Sequence, residues 1–256
     1  MPKLDIEQFA CLSDNYGVLI HDDEAGVTAS IDAPDADAVL AQLQAKGWTL
    51  THILVTHHHG DHTGGNLALK EATGCKIIGP AGEADRIPGI DEAVREGDVV
   101  QFGSFEVRVI DTPGHTMGHI TYFIPEARVA FVGDTLFAMG AGRIFEGNAE
   151  MMWNSLQKLM KLPPDTEIYC GHEYTAANAR FALTVDPENQ ALQNRAKEVD
   201  LLRDQGLPTL PTRLDKELET NPFLRPNVTA IRARLGMPYA KDWQVFAEIR
   251  ERKNKS

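Results

Sequence analysis

The feature that most constrains this chain is the heptapeptide Thr-His-His-His-Gly-Asp-His, at residues 56–62. The heptapeptide directly follows an apolar run, and it contains four candidate metal ligands: His57, His59, Asp61 and His62. Imidazole nitrogens and carboxylate oxygens are ligands that suit zinc, iron or manganese. The i, i+2 spacing of His57 and His59 does not put both on one face of a helix. We therefore predict a loop at the end of a strand, with Gly60 giving the backbone freedom to turn.

Three further candidate ligands each follow a later predicted strand: His115, Asp134 and His172. Strand ends are rigid supports on which a fold mounts its chemistry. Seven ligands are too many for one ion, and the carboxylate of Asp134 can bridge two. We therefore predict a catalytic site for two divalent metal ions about 3.5–4 Å apart. Zinc is the expected metal, and the same ligands also accept iron or manganese.

The other six ligands divide into two sets around Asp134: His57, His59 and His115, and Asp61, His62 and His172. Asp61 and Asp134 are the candidate catalytic residues, and Asp61 is expected to orient the attacking hydroxide as well as to bind metal. Asp32 also stands at the end of a predicted strand. It either holds a ligand histidine in its working tautomer or is a simple turn residue.

Composition excludes several classes of function. The net charge of −12 argues against a nucleic-acid surface. No apolar run approaches the roughly 18 residues of a membrane helix, and we expect no secretory signal. The three cysteines form no Cys-x-x-Cys pair, which indicates a reduced, cytoplasmic protein. A monomer is expected. The basic tail (250–255) either solubilises the chain or binds an anionic substrate.

Hydrophobic periodicity predicts a mixed α/β first part and a helical second part, with domains at 1–173 and 174–256. Strands are predicted at 4–9, 15–20, 27–31, 51–55, 76–79, 99–102, 105–110, 120–124, 129–132 and 168–170. Helices are predicted at 35–46, 64–73, 151–162, 175–205 and 241–253. Thr63 is the predicted N-cap of the second of these helices. We expect no strand after Cys170, and residues 206–226 are interpreted as an ordered connection.

Several motifs together resemble one family. They lie at residues 56–66, 112–119, 132–137, 142–147 and 170–175. His-x-His-x-Asp-His, followed by a distant His, Asp and His, resembles the metallo-β-lactamase superfamily. Cys-Gly-His-Glu-Tyr-Thr (170–175) and the Arg-x-x-Lys tail (250–253) are more specific. With them, the chain resembles the glyoxalase II, or hydroxyacylglutathione hydrolase, family over essentially its whole length.

The resemblance implies an αββα sandwich with a C-terminal α-helical substrate-binding domain. It also implies a set of substrate-binding residues: Arg143, Phe145, Tyr174, Arg250 and Lys253. The chain departs from the family pattern twice, since Arg143 replaces a common Lys and Phe145 a common Tyr. Arginine keeps the charge and gains a fork for carboxylate, whereas Phe145 lacks a hydroxyl. With this resemblance we favour Arg250 and Lys253 of the tail as carboxylate binders.

The implied reaction is hydrolysis of S-(2-hydroxyacyl)glutathione, with S-D-lactoylglutathione as the expected substrate. It yields glutathione and D-lactate, as the second step of methylglyoxal detoxification. The chain has no Gly-x-Ser-x-Gly motif, which fits a metal-activated water as nucleophile. The alternatives are a one-iron glutathione persulfide dioxygenase, another hydrolase of the same fold such as a lactonase or β-lactamase, and a metal-bearing binding module without catalysis.

Overall fold

The computed structural model describes residues 3–256. The chain forms two compact units that do not follow a single cut in the sequence. The first comprises residues up to Asp111 together with Thr116–Gly133, and the second comprises Thr112–His115 together with Asp134–Ser256. The division at residue 174 remains a prediction. Among the described residues, every helix is too short or too polar to cross a membrane.

The first unit contains a mixed six-stranded sheet in the order β1 to β6. Its strands are β1 (Leu4–Cys11), β2 (Asn15–Asp22), β3 (Val27–Ile31), β4 (His52–Leu54), β5 (Lys76–Pro80) and β6 (Glu92–Val94). The first three are antiparallel, and β3 to β6 are parallel. The carboxyl ends of β3 and β4 therefore meet at one edge of the sheet, where the loop that carries the histidines begins.

Two helices cover this sheet: α1 (Ala36–Lys46) and α3 (Asn66–Thr73). Asp35 caps α1 by accepting from the backbone N of Ala38 at 3.0 Å. The prediction that Thr63 caps the second helix was wrong, because α3 has Gly65 at its N-cap. Thr63 instead ends a separate helical turn, α2 (Gly60–Thr63), and its hydroxyl donates back to the carbonyl of His59 at 3.1 Å.

The first unit also holds four antiparallel strands of a second sheet, in the order β10-β9-β8-β7. They are β7 (Val99–Phe102), β8 (Phe105–Asp111), β9 (Ile120–Ile124) and β10 (Val129–Phe131). Val100 and Phe102 are buried while Val99 is exposed, as expected for a strand with one face in the core. The fully buried Tyr122 on β9 donates its hydroxyl to the carbonyl of Val55 at 2.9 Å. Burial raises the pKa of this phenol well above its usual value.

The second unit is mostly helical: α4 (Ala149–Leu159), α5 (Thr175–Val185), α6 (Gln190–Asp204), α7 (Leu214–Thr220), α8 (Thr229–Leu235) and α9 (Asp242–Asn254). The prediction of no strand after Cys170 was wrong. β14 (Thr212–Arg213) pairs antiparallel with β13 (Glu167–Tyr169). Two residues are too few to show a strand period. Helix α7 likewise lies within the segment that was predicted to be a connection.

A small hairpin of the second unit follows Asp134: β11 (Leu136–Phe137) and β12 (Gly140–Ala141). Met139, at its turn, has a positive φ of 52°. Four side chains from the helical part hydrogen-bond the hairpin backbone: Asn178, Glu217, Asn221 and Arg250. These bonds satisfy buried backbone groups that the short hairpin cannot pair by itself.

Candidate metal centre

In the first unit the predicted ligands of the histidine loop converge. Nε2 of His57 lies 3.1 Å from Nδ1 of His59, and the rings of His57 and His62 are 4.1 Å apart. Nε2 of His62 lies 3.7 Å from Oδ2 of Asp61. His57 and His62 are buried, whereas the side chain of Asp61 is 44% exposed. The loop thus gathers three imidazoles and one carboxylate.

The tautomers of two of these histidines are set by Asp32. Its Oδ2 lies 2.8 Å from Nδ1 of His62 and accepts the hydroxyl of Thr56 at 2.8 Å. Because that hydroxyl already donates its hydrogen bond to Asp32, its oxygen accepts a hydrogen bond from Nδ1 of His57, 3.0 Å away. With protons on both Nδ1 atoms, both Nε2 atoms carry the lone pair that a metal needs. Of the two roles predicted for Asp32, the structure favours the one that positions a ligand.

Asp32 adopts a strained backbone conformation. Its φ is 57°, in a region that non-glycine residues rarely occupy. The conformation is held by a further hydrogen bond, from the backbone N of Thr56 to Oδ1 at 2.7 Å. Such strain persists where the surroundings over-determine it, typically at functional sites.

Asp61 is held by a residue outside the histidine loop. The amide of Asn15, which begins β2, donates to Oδ2 of Asp61 at 3.2 Å and to its backbone carbonyl at 3.1 Å. Asn15 is buried, so its amide is held in place. This role was not foreseen, since the sequence shows Asn15 only as part of a polar turn.

In the second unit the other three predicted ligands form their own cluster. Oδ2 of Asp134 lies 3.5 Å from Nε2 of His115 and 3.4 Å from Nε2 of His172. All three residues are buried. Nδ1 of His115 is 2.8 Å from the carbonyl oxygen of Arg143. A carbonyl only accepts, so Nδ1 carries the proton and Nε2 the lone pair.

Each unit therefore presents histidine and aspartate donors of the kind that bind divalent metals. Without a cation, a buried carboxylate beside neutral imidazole lone pairs has little to offset its charge. The donor chemistry of both clusters thus fits metal binding. His57, Asp134 and His172 each come three residues after the end of a strand, and His115 comes four residues after one.

Two aromatic residues predicted to bind substrate lie beside predicted ligands of the second unit. The ring of Tyr174 stacks on His172 with centroids 4.8 Å apart and planes 2° apart. Phe145 is 62% exposed, and its ring meets the edge of His115 at 5.2 Å. Tyr174 is 38% exposed. Both rings therefore present a surface next to imidazoles that are predicted to bind metal.

The predicted basic residues differ in exposure. Arg143 is exposed, whereas Arg250 is buried and donates Nη1 to the carbonyl of Ala141 at 2.7 Å. Burial, and then the charge of Arg143, lower the pKa of Arg250. Lys253 donates to the carbonyl of Ala177 at 3.1 Å. Its pKa is lowered by burial and by the charges of three nearby arginines: Arg250, Arg180 and Arg143. A bound carboxylate would relieve this repulsion.

One further histidine packs against a predicted ligand, His57. The ring of His119 stacks on His57 with centroids 4.9 Å apart, and it is fully buried. The adjoining turn at Gly133 has a positive φ of 46°, and a Cβ there would lie 2.6 Å from Nε2 of His119. Only glycine fits this place between His119 and Thr56.

Comparison with known proteins agrees with this chemistry. Residues 21–172, more than half of the chain, match the metallo-β-lactamase superfamily, and residues 173–256 match the C-terminus of hydroxyacylglutathione hydrolase. The hydroxyacylglutathione hydrolase of Chelativorans sp. (strain BNC1) is 57% identical over 98% of both chains. That of Brucella ovis is 59% identical over 98% of both chains.

A solved structure supports the same fold. ETHE1 from Myxococcus xanthus aligns with a TM-score of 0.71 at 27% identity, covering 98% of this chain and 91% of its own. Together with the family matches, this confirms the predicted metallo-β-lactamase sandwich with a helical C-terminal domain.

Proposed function

Because the chain belongs to the hydroxyacylglutathione hydrolase family of the metallo-β-lactamase superfamily, we propose that it hydrolyses S-(2-hydroxyacyl)glutathione thioesters. The expected products are glutathione and a 2-hydroxy acid, with S-D-lactoylglutathione as the substrate. The observation that carries the proposal is the match at 57% identity over 98% of the chain, which includes the C-terminal helical part.

We propose that two divalent metal ions, zinc in the first instance, are held by the seven predicted ligands. One would be held by His57, His59 and His115, the other by Asp61, His62 and His172, and Asp134 would bridge them. When bound, such a pair supplies hydroxide at neutral pH and polarises the thioester carbonyl. The fixed Nδ1 protons of His57, His62 and His115 support this assignment.

The side chains around the ligands keep the donors oriented. Asp32 keeps a proton on Nδ1 of His62 and, through Thr56, on Nδ1 of His57. Asn15 restrains the carboxylate of Asp61, which we propose orients the attacking oxygen. Metal-binding atoms that are already aligned need no rearrangement during the reaction. This lowers the activation barrier.

The leaving group explains why no strong general acid is needed. A thiol has a pKa near 8.5, so it departs as a thiolate at little cost. The protein's own thiols do not compete as nucleophiles. All three cysteines are buried, and burial raises the pKa of Cys11 to about 11. The thiolate form that attacks a carbonyl is therefore scarce at neutral pH.

Glutathione carries two carboxylates and one ammonium group, so an acidic protein needs local positive charge to bind it. We propose that Arg143 and Lys253 bind the carboxylates, that Arg250 assists, and that Tyr174 and Phe145 contact the peptide. The lowered pKa of Lys253 supports a concentration of positive charge there. A cytoplasmic location and a monomeric state are part of the same proposal.

The test is to purify the protein, count metal ions per chain and follow the loss of the thioester absorbance of S-D-lactoylglutathione. We expect two metal ions and rapid thioester loss that a chelator abolishes. Oxygen uptake with glutathione persulfide, measured in parallel, is expected to be absent. Oxygen uptake without thioester hydrolysis, or one iron per chain, would contradict the proposal.

A further inference from the structure

Glu83 is a buried carboxylate that belongs to none of the predicted ligand sets. It lies in a short 3₁₀-helix, Ala81–Arg86, between β5 and β6, and is only 2% exposed. Burying a carboxylate is costly unless several donors satisfy it. The partners of Glu83 therefore indicate what it does.

Each oxygen of Glu83 contacts two polar groups. Oε2 accepts the backbone N–H of His58 at 2.7 Å and also contacts Nδ1 of the same residue. Oε1 accepts the backbone N–H of Gly118 at 2.8 Å and the hydroxyl of Thr116. Because a backbone N–H can only donate, both oxygens act as acceptors.

These partners stand next to metal ligands in the chain. His58 lies between His57 and His59, and Thr116 directly follows His115. Glu83 thus binds the backbone of the histidine loop and the segment after the next ligand. The contact is tight, since a Cβ on Gly118 would lie 2.3 Å from Cγ of Glu83. Neither segment can shift without breaking hydrogen bonds to this buried charge.

We propose that Glu83 is a positioning residue, which holds the backbone on either side of His58 and after His115 so that the ligands bind metal. The inference rests on the proposed function, because it takes His57, His59 and His115 as ligands. Glu83 acts through hydrogen bonds to His58, Thr116 and Gly118. It contributes to metal affinity in the way that residues behind metal ligands do.

The main test is Glu83→Gln, which keeps the size but replaces one acceptor oxygen by an NH₂ group facing donors. We expect metal affinity, measured by competition with a chromophoric chelator, to fall about 10- to 100-fold. We also expect the visible spectrum of the cobalt-substituted protein to change. The KM of the metal-saturated variant should stay close to that of the wild type.

Asp22→Asn is the matched control. Asp22 is a buried carboxylate of the same unit, and it accepts the backbone N–H of Glu24, Ala25 and Ser104. This substitution should also lower the Tm, because an NH₂ group replaces one carboxylate oxygen that faces backbone donors. The metal affinity and cobalt spectrum of Asp22→Asn should remain those of the wild type.

A second pair of variants decides the matter if Glu83→Gln fails to fold. Thr116→Val removes one hydroxyl donor without changing the shape, and Thr116→Ser keeps it. We expect weaker metal binding for Thr116→Val and wild-type binding for Thr116→Ser.

Wild-type metal affinity and cobalt spectrum in both Glu83→Gln and Thr116→Val would overturn the inference and leave Glu83 a purely structural residue. If Glu83→Gln does not fold, wild-type binding by Thr116→Val alone would do so. A wild-type protein that binds no metal or cleaves no thioester would instead overturn the proposed function itself. The two failures are therefore distinguishable.

Discussion

The two clusters of predicted ligands are held in different ways. In the first unit, side chains set the tautomers: Asp32 acts directly on His62 and through Thr56 on His57. In the second unit, a backbone carbonyl, that of Arg143, sets the tautomer of His115. A point mutation can remove a side-chain acceptor. A backbone carbonyl acceptor remains after substitution, as long as the backbone conformation is unchanged. Metal binding by the first cluster should therefore be more sensitive to substitution of the residues that hydrogen-bond the predicted ligands.

The largest effect is expected at a predicted ligand itself. Asp134→Ala should lower kcat by more than about a thousandfold and reduce the metal content, because the nucleophile depends on bound metal. Steady-state assay with S-D-lactoylglutathione and metal analysis measure both. The control is Asp204→Ala, at an exposed residue that ends α6. Full activity in Asp134→Ala would show that this residue is not a ligand.

Asp32→Asn should rank second, with a loss of about 10- to 100-fold in metal affinity and in kcat/KM. An amide presents a donor where Thr56 and His62 both donate, so both Nδ1 protons lose their support. Thr56→Val breaks only the link to His57 and should cost less than Asp32→Asn. Equal losses in the two variants would contradict the chain of hydrogen bonds described above.

Arg143→Ala tests the other side of the comparison. Since the carbonyl of residue 143 remains, metal affinity should be unchanged. The KM should rise about tenfold or more, as expected when a hydrogen bond to a charged group is lost. Chelator competition and steady-state kinetics separate the two effects. A fall in metal affinity as large as in Asp32→Asn would show that the side chain of Arg143, and not only its backbone carbonyl, contributes to metal binding.

Lys253→Ala should raise the KM about three- to tenfold with little change in kcat, because it removes binding remote from the reacting carbon. Lys255→Ala is the control, at the C-cap of the same helix. Lys255 is exposed and pairs with Glu251, so its loss should be silent. A fall in kcat at constant KM for Lys253→Ala would contradict the assigned role.

The smallest effect is expected for Phe145→Tyr. The ring is exposed beside His115, and an added hydroxyl would provide one neutral hydrogen bond to the peptide. We expect the KM to fall about two- to fivefold, with metal affinity unchanged. An unaltered KM would place residue 145 outside the contact with glutathione.

The strands that precede the predicted ligands were largely predictable. His57, Asp134 and His172 follow apolar runs, and the structure places a strand before each of them. The prediction succeeded because a buried strand has a local pattern that a sequence displays. A single histidine or aspartate after one strand is weak evidence for a metal site. The same pattern after several strands is much stronger evidence.

The residues behind the ligands were predictable only in part. Asn15 contacts Asp61 across 46 positions, and Glu83 contacts His58 across 25. Such pairs leave no periodic signal, because their spacing in sequence depends on how the sheet brings distant segments together. The two-residue strand β14 and the N-cap at Gly65 escaped prediction for a related reason. Tertiary contacts, more than local preference, decide them.

The hairpin of β11 and β12, which side chains of the helical part hold by hydrogen bonds, affects how this enzyme can be re-engineered. Asn178, Glu217, Asn221 and Arg250 supply hydrogen bonds to residues 137–141. Grafting the C-terminal helices of a relative, as a way to change acyl preference, would therefore remove the hydrogen bonds that hold the segment after Asp134, a predicted metal ligand. A successful chimera would have to move residues 135–142 together with the helices.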